Sequence, residues 1–177
     1  KLASIFRMDP SYKADFIKGL KVVVQDVVEC RGEADTEIAA AIGQGSTVVI
    51  DGVTLTRVAV SADSDLLGYR TVSVVLRKLS GAAGSGFRLF RKDKVLEVMG
   101  LHTENQMEVL AVTANNDYDA NVKGYGWAKN LKLMREAPGE ILHSTLDLLD
   151  YYLDRVNRDR KSQDQVTRAF FKSSLNV

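Results

Sequence analysis

Short β-branched runs alternate with stretches of helical period through the first two-thirds of this chain, and that alternation points to an α/β sheet domain. Thr47-Val-Val-Ile50 and Val53-Thr-Leu-Thr56 flank Asp51-Gly52. An Asp-Gly pair supplies the positive φ angles of a type I′ turn, so a β-hairpin is expected over 47–56. Arg57-Val-Ala-Val-Ser61 follows as an apolar strand expected to be central in a sheet. Asp26-Val-Val-Glu-Cys30, residues 71–79 and residues 87–90 read as further strands. Helices are expected at 11–22, with Ser11 as N-cap and Phe16, Ile17 and Leu20 on one face, and at 32–42, stopped by Gly43 and Gly45. Others follow at 92–99, 104–114, 126–136 and 139–160, with an amphipathic segment around 163–173.

Composition excludes several classes. At 177 residues the chain has room for one cooperative core and is short for two. No apolar run reaches the roughly 18 residues of a membrane span, and the first ten residues contain no signal-peptide core. A single cysteine, Cys30, excludes an intrachain disulfide and fits a reducing compartment. With His102 and His143 alone beside it, neither a zinc cluster nor a redox pair can be built, and both histidines read as incidental. Gly81-Ala-Ala-Gly-Ser-Gly86 reads as a flexible loop without the closing Lys-Ser/Thr of a phosphate-binding P-loop. Charge is unevenly spread: residues 1–120 carry a net −2 and residues 121–177 a net +3. The first part suits cations and the second suits phosphates.

Acidic residues supply the candidate chemistry. Asp63 and Asp65 lie just beyond the Val58-Ala-Val60 run, in Ser61-Ala-Asp-Ser-Asp-Leu-Leu67. Side chains two apart on extended backbone share a side, so both carboxylates can converge. Ligands of open α/β sheets bind beyond the carboxyl ends of strands. Two convergent carboxylates repel unless a hard divalent cation or a proton neutralises them. A polar turn capping the next helix would carry the same Asp-x-Asp. Glu33 and Asp35 open the 32–42 helix, where the macrodipole also favours anions. Within a helix they would diverge by about 200°, so they can share an ion only if Glu33 belongs to the lead-in turn. Asp117, in Asn115-Asn-Asp-Tyr118, also suits a helix-terminating turn.

Order and context bind these pieces together. Gly32-Glu-Ala-Asp-Thr-Glu-Ile-Ala39, Val60-Ser-Ala-Asp-Ser-Asp-Leu-Leu67, Val75-Leu-Arg-Lys-Leu79, Asn116-Asp-Tyr118 and Gly124-Tyr-Gly126 occur in series, and Phe87-Arg-Leu-Phe-Arg91 leads to Val95-Leu-Glu-Val-Met-Gly100. Over residues 25–136 the series resembles the internal domain of flap endonucleases and XPG-type nucleases. That resemblance implies a PIN-like core over 1–114, with a mostly parallel sheet flanked by helices, then a helical helix–two-turn–helix extension over 115–177. It further implies Mg²⁺- or Mn²⁺-dependent hydrolysis of DNA, or RNA, at a duplex–single-strand junction in an intracellular, nuclear setting. Glu33 and Asp35 would then serve one metal, and Asp63, Asp65 and Asp117 the other. Two-metal sites hold ions about 4 Å apart, one activating water and one stabilising the leaving oxygen. Members of the family carry further aspartates in an N-terminal region. Asp9, Asp15 and Asp26 match none of them, so another segment or chain is expected to complete the first metal site. A scaffold kept as a non-cutting binding or regulatory module is the alternative.

Lys123-Gly-Tyr-Gly-Trp-Ala-Lys-Asn130 resembles the family's DNA-binding hairpin. Gly124 and Gly126 would bring backbone N–H groups to a phosphate, or position carbonyls for a monovalent cation. Lys123 precedes them, and Lys129, Lys132 and Arg135 form a basic stripe beside Leu131 and Met134 that suits phosphate contact without base reading. Trp127 stands where the family often has proline, and its ring is expected to pack rather than to stack on a base. Leu142, Leu146, Leu149, Leu153 and Val156 recur at four- and three-residue spacing, the pattern of a helix packed on the domain.

Overall fold

The computed structural model describes residues 10–24, 27–30, 32–45, 47–50, 52–63, 65–79, 86–114, 122–159 and 166–171. Two units can be separated, Lys1–Ala34 and Asp35–Val177. In the first, helix α1 (Pro10–Val23) forms close to its expected bounds. Ile17 and Leu20 are half-buried, whereas Phe16 is exposed, so the expected three-residue face is only partly covered. An exposed Lys13–Glu29 ion pair of 2.6 Å joins α1 to the segment after it. Val27–Cys30 takes no regular structure, although a strand is expected there. Helix α2 (Ala34–Gly43) begins on the last residue of this unit.

The second unit is α/β. Strands β1 (Thr47–Ile50) and β2 (Val53–Thr56) form the expected antiparallel hairpin, pairing Thr47 with Thr56 and Ile50 with Val53. A separate sheet has the order β3-β4-β5, from β3 (Ala59–Val60), β4 (Val74–Leu79) and β5 (Gly86–Arg91). β3 runs parallel to β4, Ala59 opposite Val75, while β4 and β5 are antiparallel over six pairs. The sheet of the described residues is therefore mixed rather than mostly parallel. Only residues 80–85 separate β4 from β5, too few for the crossover that a parallel pair requires. β3 is also shorter than expected and lies at the edge, with Ala59 buried but Val58 and Val60 exposed. The expected Gly-rich loop at 81–86 falls outside the described residues except for Gly86.

Helices α3 (Lys92–Met99), α4 (Glu104–Thr113) and α5 (Trp127–Arg135) match their sequence patterns. α4 starts with a capping box in which the Gln106 amide donates to Thr103 Oγ1 (3.3 Å) and the Thr103 amide donates to Gln106 Oε1 (3.0 Å). The same fully buried Gln106 donates through Nε2 to the Met134 carbonyl at 2.6 Å, tying α4 to α5. Buried Asn130 reinforces that tie from the other side, donating to the Thr113 carbonyl at 2.7 Å.

The long helix expected at 139–160 is divided. A 3₁₀ turn (Gly139–Ile141) is followed by a break, and α6 (Thr145–Asp159) begins after Ser144, whose Oγ accepts the Asp147 amide at 3.2 Å. α6 buries Leu148, Leu149, Tyr152, Leu153 and Val156. Leu142, before the break, is half-buried, and Leu146, in the first turn of α6, is exposed. Tyr152 meets Tyr125 and Phe171 edge-on, at centroid distances of 6.1 and 6.0 Å. Within the expected 163–173 helix, Arg168–Phe171 is a 3₁₀ turn. Since α4 packs against both α5 and α6, the core runs continuously from before to after residue 114.

Candidate functional site

Asp63 and Asp65 reach one cleft because the chain leaves β3 through a polar turn. The Asp63 amide donates to Ser61 Oγ at 2.9 Å, and the Asp65 amide donates to Asp63 Oδ1 at 3.0 Å. The Asp63 side chain thus plays the helix-capping part that such a motif can play, and Asp65 opens a 3₁₀ turn (Asp65–Gly68). The two carboxylates are not on an extended segment, as the spacing suggests. The turn nevertheless leaves both exposed, and both line a cleft of about 330 Å³. Its position beyond the carboxyl end of the parallel strand β3 is where open α/β sheets bind ligands.

Five further elements close the cleft. β4 supplies Val75 and Arg77, β5 supplies Phe90, α3 supplies Val95 and Met99, and α4 supplies Met107 and Ala111, with Ala114 just past its end. Trp127, the first residue of α5, completes it. As a residue it is 49% exposed, so it is only partly packed. The cleft is therefore mostly apolar, with Asp63, Asp65 and Arg77 as its charged groups.

Two residues unremarkable in sequence hold the acidic turn in place. A Cβ on Gly68 would lie 2.7 Å from the Ala111 Cβ, so glycine is what lets the turn approach α4. Lys92, at the start of α3, is buried and donates through Nζ to the Tyr69 carbonyl at 2.6 Å, just past that turn. Burial holds its ammonium below the usual lysine range, opposed by the charges of Glu104 and Glu108. In sequence, Arg91-Lys92-Asp93 reads as an ordinary charged helix start, and no period marks Lys92 for burial. Beyond it, Arg70 donates to Glu108 at 2.8 Å and to Asn105 at 2.9 Å, and Thr145 donates to Glu108 at 2.8 Å. This network joins the loop to α4 and α6.

The remaining candidate carboxylates are placed differently. Asp35 lies in the first turn of α2, half-buried, and is not among the residues lining the cleft. Glu33 belongs to the first unit and precedes α2. Asp117 lies outside the described residues. Among the described residues, no group of three or more His, Cys, Asp or Glu is placed to hold a metal ion. His102 and His143 are exposed.

On the hairpin, Gly124 takes φ 84°, a left-handed conformation that favours glycine. Gly126 is extended, and its carbonyl accepts the Lys129 and Asn130 amides at 3.1 and 3.0 Å as α5 begins. That carbonyl is the N-cap acceptor of the helix. Lys123 is exposed, and Lys129 Nζ sits 3.7 Å from the Tyr125 ring centre. Lys132 faces Glu136 at 3.7 Å on the surface. Arg135 donates through Nε to the Met99 carbonyl at 2.6 Å, so it also ties α5 to the end of α3. No family model matches the chain, and no curated protein matches it at a significant level.

Proposed function

We propose that this chain is the core of a metal-dependent, structure-specific nuclease that hydrolyses a phosphodiester at a duplex–single-strand junction. The observation that carries the reading is the meeting of Asp63 and Asp65 in one cleft beyond β3, at the point where the motif series implies a metal. The donor set suits a hard divalent cation. Mg²⁺ commonly takes one or two carboxylates and keeps several waters, and the Asp65 amide occupies one of the roughly four acceptor positions of the Asp63 carboxylate.

Asp63 and Asp65 would hold the ion, which when bound supplies Lewis-acid polarisation of the phosphate and activation of a water. Arg77 offers its guanidinium to a phosphate in the same cleft. The apolar walls limit water around the charged groups and so strengthen their interactions. Lys123, Lys129 and Lys132 offer contacts along a strand near the hairpin. Glu33, Asp35 and Asp117 remain candidate ligands of the complete two-metal site, with the hairpin a candidate site for a monovalent cation.

Thermal melting in Mg²⁺ or Mn²⁺ tests the reading. Binding to the native state alone raises stability by about 2.7 kcal/mol at an ion concentration 100 times Kd. Wild type should melt higher in millimolar Mg²⁺, and Asp63→Asn with Asp65→Asn should lose that shift. A melting temperature indifferent to the ions would refute it. That result would favour the alternative of a non-cutting binding module, which agrees with the largely apolar lining of the cleft.

A further inference from the structure

We propose that Trp127 is a stacking platform for an unpaired base of the strand whose phosphate meets Asp63 and Asp65, making it a specificity-determining residue of the site. The inference rests on the nuclease reading above and deepens it. A bound cation and a phosphate would occupy only the charged part of the cleft, the part formed by Asp63, Asp65 and Arg77. The larger part is walled by Val75, Phe90, Met99 and other apolar groups, and no ion or phosphate gains from that surface. At about 330 Å³ the cleft is the size of a small ligand site, and it suits a flat apolar body joined to a phosphate.

Trp127 supplies the matching aromatic face. It is the largest side chain of the cleft lining, yet it remains half-exposed. Its backbone is held on both sides, by the turn at Gly124 and Gly126 and by the Asn130 and Gln106 ties between α4 and α5. A helix start fixed in this way presents the exposed Trp127 side chain at the mouth of the cleft, where a base can reach its face. Every base has a π-face, so such a contact favours bases over bare backbone without reading sequence. Charge complementarity selects the same occupant: Arg77 suits the phosphate, and a metal on the two carboxylates would suit it too.

Trp127 is the sole tryptophan of the chain, so intrinsic fluorescence reports on this cleft alone. The probe is a DNA duplex with a short single-stranded arm, either adenine-bearing or abasic, in Ca²⁺, so that a hard cation can neutralise the two carboxylates that would otherwise repel the phosphate, and the arm is checked to be intact after the measurement. Affinity is read independently by anisotropy of the labelled DNA. One stacked base is worth about 1–3 kcal/mol, which at 1.4 kcal/mol per tenfold becomes roughly 5- to 150-fold. The adenine arm should quench the fluorescence and bind tighter than the abasic arm by that factor. Trp127→Phe should keep most of the difference. Trp127→Leu, which retains apolar bulk without an aromatic face, should reduce the adenine arm to the abasic level and leave the abasic arm unchanged. Equal wild-type affinity for both arms would overturn the proposal, and so would a Trp127→Leu loss shared by both arms. Free deoxyadenosine monophosphate binding as tightly as the adenine arm would also overturn it, by making the ligand a nucleotide and not a strand. If stacking holds while Mg²⁺ neither raises the melting temperature nor supports cleavage, the hydrolytic reading fails and the base site stands.

Discussion

Replacing Gln106 by Leu should test how the cleft is built, because α4 and α5 both line it and Gln106 joins them. The substitution roughly keeps the volume but removes four hydrogen bonds. These are the 2.6 Å donation to the Met134 carbonyl, and acceptance from the His102 and Thr103 amides at 2.7 and 3.0 Å and from the Thr103 hydroxyl at 3.4 Å. Met134 is fully buried, and its carbonyl would keep only the long 3.4 Å bond from the Ala137 amide, so much of the cost of an unsatisfied buried carbonyl, about 1–3 kcal/mol, applies. Loss of the cap adds about 1 kcal/mol, so Gln106→Leu should lower stability by roughly 2–4 kcal/mol. For a chain of this length each kcal/mol shifts Tm by about 2–4 °C, so melting should fall by about 4–16 °C. Urea denaturation measures the loss directly, and Thr103→Ala is the control. It removes the cap acceptor for the Gln106 amide but keeps the bond to Met134, and should cost about 1 kcal/mol. A protonated carboxyl can donate where a carboxylate cannot, so Gln106→Glu should lose least at low pH. If Gln106→Leu costs no more than Thr103→Ala, the Gln106–Met134 bond does not hold the two helices together.

Lys92 should give a pH signature. Its folded pKa lies below its ordinary 10.5, so between the depressed value and 10.5 the unfolded chain holds a proton that the folded chain has released. Stability then rises with pH across that window, and the urea midpoint of wild type should gain on that of Lys92→Met as pH climbs towards 10.5. A flat or falling difference would place the ammonium in water. Converting Lys123, Lys129 and Lys132 together to Ala should reduce the slope of log affinity for duplex DNA against log salt by about 2.7, at about 0.9 per contact, equally for two unrelated duplexes. Arg135 is left out because its loss would also release the Met99 carbonyl. An unchanged slope would mean that these lysines are solvated and nothing more.

Local chemistry alone determined much of the framework. The Asp51-Gly52 hairpin and the ranges of α3, α4 and α5 could be read directly, because each depends on residues a few positions apart. The start of α6 was missed: Ser144-Thr-Leu-Asp147 is a capping sequence, but the leucine spacing across it suggested a single helix over 139–160. The sign of the β4–β5 pairing follows from the six residues between them. Tertiary structure decided the rest. The turn that carries Asp65 approaches α4 because Gly68 lacks a Cβ where Ala111 stands, 43 residues further along. Lys92 is buried because two carbonyls past that turn need a donor, Tyr69 at 2.6 Å and Arg70 at 3.4 Å. Trp127 lines the cleft with Asp63 and Asp65 because Gln106 and Asn130 bind α5 to α4. Contacts between segments so far apart leave no period in the chain, since they depend on which surfaces remain once the local elements have formed and packed.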